Sequence, residues 1–161
     1  MQITRAVEYA AMGLMALARR EPGTTLMVDE ISQEEQISPS FLGKIFQSLS
    51  RSGLVRSVRG TGGGFILARS AESITLLDVF ESIEGPLALQ RCQQPTPSCE
   101  RSDSCALCSV FEQAQDRVKD VFTQTTIRDL ANRHQPMAGP KSAPTAHSPF
   151  SASDTQSLPT A

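Results

Sequence analysis

No stretch of the 161-residue sequence approaches ~20 consecutive apolar residues, which excludes a membrane-spanning helix. Residues 1–20 lack both an uninterrupted apolar core and a small-residue cleavage site, so the start of the chain does not read as a signal peptide. Histidine is scarce: His134 stands at the edge of the C-terminal tail and His147 inside it. No nucleophile–base pair is visible, and no Gly-Lys-Ser/Thr follows the glycine-rich run at 59–64, so the chain is not expected to be an enzyme. A fourth absence is local. Between Gln36 and Arg69 there is no acidic residue, while Lys44, Arg51, Arg56, Arg59 and Arg69 supply five positive charges. Residues 70–132 reverse this, with five basic residues against ten acidic ones, so the net charge of -2 conceals a divided molecule. One surface suits an anionic partner and the other region has a different task.

What the sequence does have is four cysteines bunched between positions 92 and 108. Without a secretory signal, thiols this dense read as metal ligands or redox groups rather than a disulfide framework, and they point to the cytoplasm. The length and a 39% hydrophobic content fit one modest core with appendages.

Helical spacing of Val7, Ala10, Ala11, Leu14, Leu17 and Ala18 predicts a first helix, capped by Thr4 and ended by Pro22-Gly23. A shorter helix is expected over 28–35 around Ile31. Ser38 as N-cap with Pro39 at the first helical position opens a third, which runs to about Ser52 before Gly53 stops it. Residues 54–58 and 65–67 have strand character, and the glycine-rich connection between them makes a hairpin. Thr75 with Asp78 resembles a capping box and starts a helix through Ile83, closed by Gly85-Pro86. From about Cys105 a long helix follows, in which Leu107, Phe111, Ala114, Val118, Val121 and Thr125 form a narrow seam suited to a second copy of the chain. Past Arg133 the composition turns to Pro, Ser, Thr and Ala, which predicts a disordered tail.

Two short helices, a turn and a two-stranded hairpin make the order of a winged helix-turn-helix. The expected fold is thus mainly α with a small β-hairpin wing and a long dimerisation helix. Its parts are a DNA-binding domain at 1–85, a cysteine loop at 86–108, the dimerisation helix and a C-terminal helical segment at 105–132, and the tail at 133–161. On the 39–52 helix, Phe41, Leu42, Ile45, Phe46 and Leu49 fall on one side, and Ser40, Gly43, Lys44, Gln47 and Arg51 on the other. The second face offers donors to base edges and phosphates of a double-stranded DNA operator. Arg59 and Thr61 sit on a hairpin tip nearly free of side chains, able to approach a minor groove or a phosphate.

Cys92, Cys99, Cys105 and Cys108 are separated by six, five and two residues. Four thiolates are enough for an iron-sulfur cluster, 2Fe-2S or 4Fe-4S, or for tetrahedral zinc. Zinc knuckles present two tight pairs and only Cys105 with Cys108 forms one, yet spacing alone leaves cluster, zinc and free redox thiols all open.

Several segments together carry a family resemblance: residues 4–10 (TRAVEYA), Ser40-Phe41-Leu42 followed by Leu49, 53–55 (GLV), 58–65 (VRGTGGGF), 83–87 (IEGPL) and the cysteines. Over about residues 1–132 the chain resembles the IscR/NsrR/RirA family of iron-sulfur winged helix-turn-helix regulators. The resemblance implies a homodimer that binds a roughly palindromic operator, probing iron, redox or nitrosative status through a cluster beside the dimerisation helix, as a repressor. It maps three shared cluster ligands onto Cys92, Cys99 and Cys105. The fourth varies within the family: the cluster-assembly regulator has a histidine where Cys108 stands, and the nitric-oxide sensor uses an acidic residue of the partner's first helix, at the place of Glu8. Cys108 is favoured here because thiolate is the softer ligand. DNA contacts in the family come from the recognition helix and the wing, in line with Ser40, Lys44, Gln47 and Arg59. One departure is Gly43, where the cluster-assembly regulator has a glutamate that helps choose between operators.

Overall fold

The computed structural model describes residues 3–94, 99 and 104–134. All but the first two residues of the expected tail lie outside them. Helix α1 (Arg5–Ala18) is the centre of the architecture, with Ala10, Leu14 and Ala16 completely enclosed. Around it pack α2 (Val28–Glu35), α3 (Pro39–Arg51), α4 (Leu76–Glu84) and α6 (Ile127–Arg133). Their apolar faces meet in one core that includes Ile31, Leu42, Phe46, Leu49, Ile74 and Ile127. Gly13 lets α3 come close, because a β-carbon there would lie 2.6 Å from Phe46 Cε2.

The recognition elements form where local chemistry dictates. Pro39 occupies the first position of α3, and Gly53, at φ 70°, follows its C-cap Ser52. Helix α2 ends on Gln36 in the left-handed region at φ 55°, and three residues then suffice to start α3. Thr75 and Asp78 cap α4 reciprocally, each backbone N–H donating to the other's side chain at 3.1 and 3.0 Å. Thr4 and Ser38 precede their helices as expected but their hydroxyls do not cap them. The Thr4 hydroxyl donates to Glu84 Oε1 at 2.6 Å, fastening the start of α1 to the end of α4, and the Ser38 hydroxyl lies 3.1 Å from that of Ser40.

Strands β1 (Val55–Val58) and β2 (Gly64–Leu67) pair antiparallel, with Val55 opposite Leu67 and Val58 opposite Gly64. The wing is anchored to the body by Leu26 and Phe65, which exchange both backbone hydrogen bonds at 3.0 and 2.8 Å. Glycine at 64 is required there, since a β-carbon would overlap the Leu26 carbonyl oxygen. Phe65 also carries its ring to within 4.9 Å of Phe46, so wing and recognition helix share one packing unit.

Among the described residues, the C-terminal part beyond Cys105 is made of two helices. Helix α5 (Ala106–Gln124) ends at an extended Thr125, and α6 begins separately under a Thr126–Asp129 capping box. The chain reverses here because Leu76 N–H donates to Thr125 O and Ile127 N–H to Ile74 O, and fully buried Ile127 is drawn into the core. The predicted seam is also divided. Val118, with Phe122, packs inward onto a satellite cluster of Val7, Phe80 and Leu87, whereas Leu107, Val110 and Val121 are each more than half exposed. The uncovered apolar face of α5 therefore follows Leu107, Val110, Ala114 and Val121 rather than Phe111, Val118 and Thr125. No helix among the described residues is long and apolar enough to cross a membrane.

Candidate nucleic-acid interface and metal centre

Burying Leu42, Ile45, Phe46 and Leu49 turns the opposite side of α3 outward, and Ser40, Lys44, Gln47 and Arg51 are all exposed along it. Their spacing of four, three and four residues makes a single stripe. The Arg51 guanidinium donates to Ser48 Oγ at 2.8 Å and so lies along its own helix. Phe41 belongs to this outer region rather than to the core: it is 40% exposed, and its ring meets that of Tyr9 edge-on at 5.7 Å. Gly43 opens on free space. Across the wing, Arg59 and Thr61 are exposed at a tip closed by the Gly63 N–H donating to Gly60 O at 2.9 Å. Among the described residues, Lys44, Arg51, Arg56 and Arg59 enter no ion pair, whereas Arg69 is engaged by Asp78 at 3.3 Å. Four of the five cations of the acid-free segment are thus available to an anionic partner.

The cysteines belong to the segment that leads into α5 and to its first turn. Cys105 is the N-cap of α5, and its carbonyl accepts the Cys108 N–H at 3.0 Å, placing both thiols on the first turn. Cys92 lies in the 3-10 turn Arg91–Gln93. Cys108 is hydrogen-bonded to the Cys92 side chain, and that contact, then burial, then the charges of Cys92, Cys105 and Glu112, push its thiol up to about 11. Cys92 and Cys105 are thus the cysteines that act on Cys108. Cys99 is half-buried and is not among the groups acting on Cys108. No disulfide joins any of the four, and among the described residues no three ligand side chains stand ready around one ion. Glu8 is exposed on α1.

A soft metal centre fits this arrangement on two grounds. Crowded thiols that resist ionising together are relieved by a cation, which soft sulfur ligands prefer to share. Beside Cys92, moreover, the Gln93 Nε2 is closed off from solvent with no hydrogen-bond partner. The loop is tied to α5 by buried Gln115, whose Oε1 accepts the Leu89 N–H at 3.1 Å.

One constellation left no sign in the sequence reading. The fully enclosed Glu35 carboxylate on α2 receives the Arg19 guanidinium on one oxygen and lies 2.9 Å from His134 Nε2 on the other. Arg19 also pairs with Glu34, which is joined in turn by Arg20 at 2.9 Å. Burial alone would lower the Arg19 value, but the Glu35 and Glu34 carboxylates outweigh it and hold the guanidinium above its ordinary range. These pairs set the position of α2, and through it α3, against α1 and α6.

A helical body carrying a helix-turn-helix and a hairpin wing, with an exposed cationic stripe and cysteines at the start of α5, is the arrangement of a DNA-binding transcriptional regulator of the winged-helix class. Residues 3–133 match the Rrf2 family, described as iron-dependent transcriptional regulators, and the chain belongs to it. It is 30% identical to the HTH-type transcriptional regulator IscR of Pectobacterium atrosepticum over 84% of this chain and 82% of that one. Among solved structures it resembles CymR, the global cysteine regulator of B. subtilis, at 25% identity and a TM-score of 0.67, covering 84% of this chain and 99% of that one. The T. potens IscR shares the fold at 23% identity and a TM-score of 0.66, covering 83% and 88%.

Proposed function

We propose that the chain acts as a homodimeric repressor whose hold on a roughly palindromic operator is set by an iron-sulfur cluster bound through Cys92, Cys99, Cys105 and Cys108. The observation that carries this reading is the placing of Cys105 and Cys108 on the first turn of α5, the helix that packs on α4 of the DNA-binding domain, with Cys92 acting on Cys108 from the preceding loop. The relationship to IscR supports the same assignment. When bound, a 2Fe-2S or 4Fe-4S cluster supplies one-electron redox chemistry and a lability toward oxidants or iron shortage. Cys108 completes the ligand set, with Glu8 of the partner subunit as the alternative.

The chain's own residues do the rest. Leu107, Val110 and Val121 offer a second copy an apolar strip on a helix ~28 Å long. A dimer of this kind presents two α3 helices to adjacent major grooves. Ser40, Lys44 and Gln47 face the base edges, and Arg51, Arg59 and Thr61 hold phosphates or the minor groove. The Gln115–Leu89 bond ties the thiol loop to α5, and Val118 and Phe122 tie α5 to α4, so the spread of the thiols bears on the separation of the paired readers. Coupling of this type changes operator affinity by about 5- to 150-fold.

The experiment is purification without oxygen, analysis of iron and acid-labile sulfide, and operator binding before and after the cluster is stripped. Iron and sulfide in equal amounts, with affinity that changes on stripping, are expected. A colourless chain holding one zinc, with affinity unmoved by metal removal, overturns the sensor and leaves a constitutive DNA-binding protein with a structural zinc site.

A further inference from the structure

We propose that Gln93 donates its carboxamide N–H to a sulfur of the metal centre and thereby raises the reduction potential of that centre; the proposal rests on the cluster reading above. Gln93 directly follows Cys92 in the same 3-10 turn. Its carboxamide orientation is fixed, because Oε1 accepts the Gln90 N–H at 3.2 Å, which leaves Nε2 as the free end. Among the described residues that nitrogen meets no acceptor, protein sulfur included, and it is shut off from solvent. A buried N–H without a partner is costly, and such groups in folded proteins mark a missing acceptor. The acceptors that a cluster adds beside Cys92 are inorganic sulfide and metal-bound thiolate, both carrying more negative charge than a free thiol. Zinc would bring only the second.

A donor so placed favours the form with more electron density on sulfur, which is the reduced one. Gln93 is then a positioning and tuning residue, not a ligand. A purely structural role would be confined to the Oε1 bond that closes the turn. Glutamate at 93 keeps that oxygen and loses the donor at neutral pH, but regains an O–H when protonated.

The test uses the full chain with its cluster loaded anaerobically, in wild type, Gln93→Leu and Gln93→Glu. Two quantities are read: the potential by optical titration, and the coupling of the reduced cluster to 15N in glutamine side chains by pulsed electron paramagnetic resonance. Wild type should show a side-chain nitrogen coupling that Gln93→Leu loses. At a fixed potential the reduced-to-oxidised ratio of Gln93→Leu should fall about tenfold, equivalent to 59 mV for one electron. Gln93→Glu should gain a pH-dependent potential that rises on acidification, which wild type lacks. Unchanged potentials in both variants overturn the proposal. If a variant fails to hold the cluster, the wild-type coupling decides alone, and its absence overturns the proposal while leaving the cluster reading intact. Wild type that takes up no iron and sulfide defeats the cluster reading, and this proposal with it.

Discussion

His134 Nε2 lies 2.9 Å from Glu35 Oε2, joining the last described residue of the chain to the first helix of the helix-turn-helix across ninety-nine positions. Glu35 has no exposed side-chain surface, and its side-chain partners among the described residues are Arg19 and His134. Removing one member of a buried charged set strands the others, at a cost of roughly 3 kcal/mol. Glu35→Ala should lower the free energy of urea unfolding by about that amount. His134→Ala should cost about 1 kcal/mol, the loss of one hydrogen bond. A loss for Glu35→Ala no larger than for His134→Ala would mean that Glu34 alone satisfies Arg19.

The contact of Gly13 with Phe46 gives a second prediction. Alanine is the better helix former by about 1 kcal/mol, but its methyl would drive into a ring with no room to retreat, and overpacking costs about 1–3 kcal/mol. Gly13→Ala should therefore lower the melting temperature. Combining it with Phe46→Leu should recover part of the loss relative to the sum of the two single changes. Strict additivity would show that the two positions do not press on each other.

The wing has two separable functions, one of reach and one of anchorage. Arg59→Ala should weaken operator binding and reduce the slope of log affinity against log salt by about 0.9, the share of one phosphate contact. Gly64→Ala should instead break the Leu26–Phe65 exchange, so that hydrogen exchange quickens at both amides and binding weakens even at low salt. An unchanged slope for Arg59→Ala would take the wing off the phosphates.

A fourth prediction concerns the metal-free protein. A Cys108 thiol held at about 11 rather than 9.0 carries about a hundredfold less thiolate near neutral pH. Because the value is raised, the neutral form persists until pH climbs past it. Alkylation followed by peptide mass spectrometry should find Cys108 the slowest of the four, still accelerating above about pH 10 as the thiolate forms. Cys92→Ala removes the leading cause and should quicken the reaction at Cys108. Equal rates at all four cysteines would mean that the thiols are not in contact.

Much of this architecture was legible in the sequence, because its causes are local. Pro39 ahead of a periodic apolar run, Gly53 after it, and Thr75 with Asp78 each specify a helix end through the chemistry of a few neighbouring residues. The Thr126–Asp129 pair carries the same signal and marks the start of α6. Its Asp129 carboxyl is held low by the Thr126 hydroxyl and then by the Thr126 N–H, so this cap is kept at neutral pH and lost as pH falls through that lowered value. The outer face of α3 was legible too, since burial of one face fixes the other. Long-range pairing was not. Nothing near Glu35 distinguishes it from an exposed acid on a polar helix, and His134 acquires its partner only after α6 turns back. The inward turn of Val118 likewise depends on Phe80 and Leu87, which come from distant segments.

The reversal at Thr125 gives α5 a mechanical character. One end of the rod is grounded in the body through Thr125, Thr126 and Ile127, and again along its second half through Val118 and Phe122, while Cys105 and Cys108 ride at the other. On the cluster reading, a second copy seated on the rod's apolar strip would feel a shift of that far end as a change of angle between two whole domains.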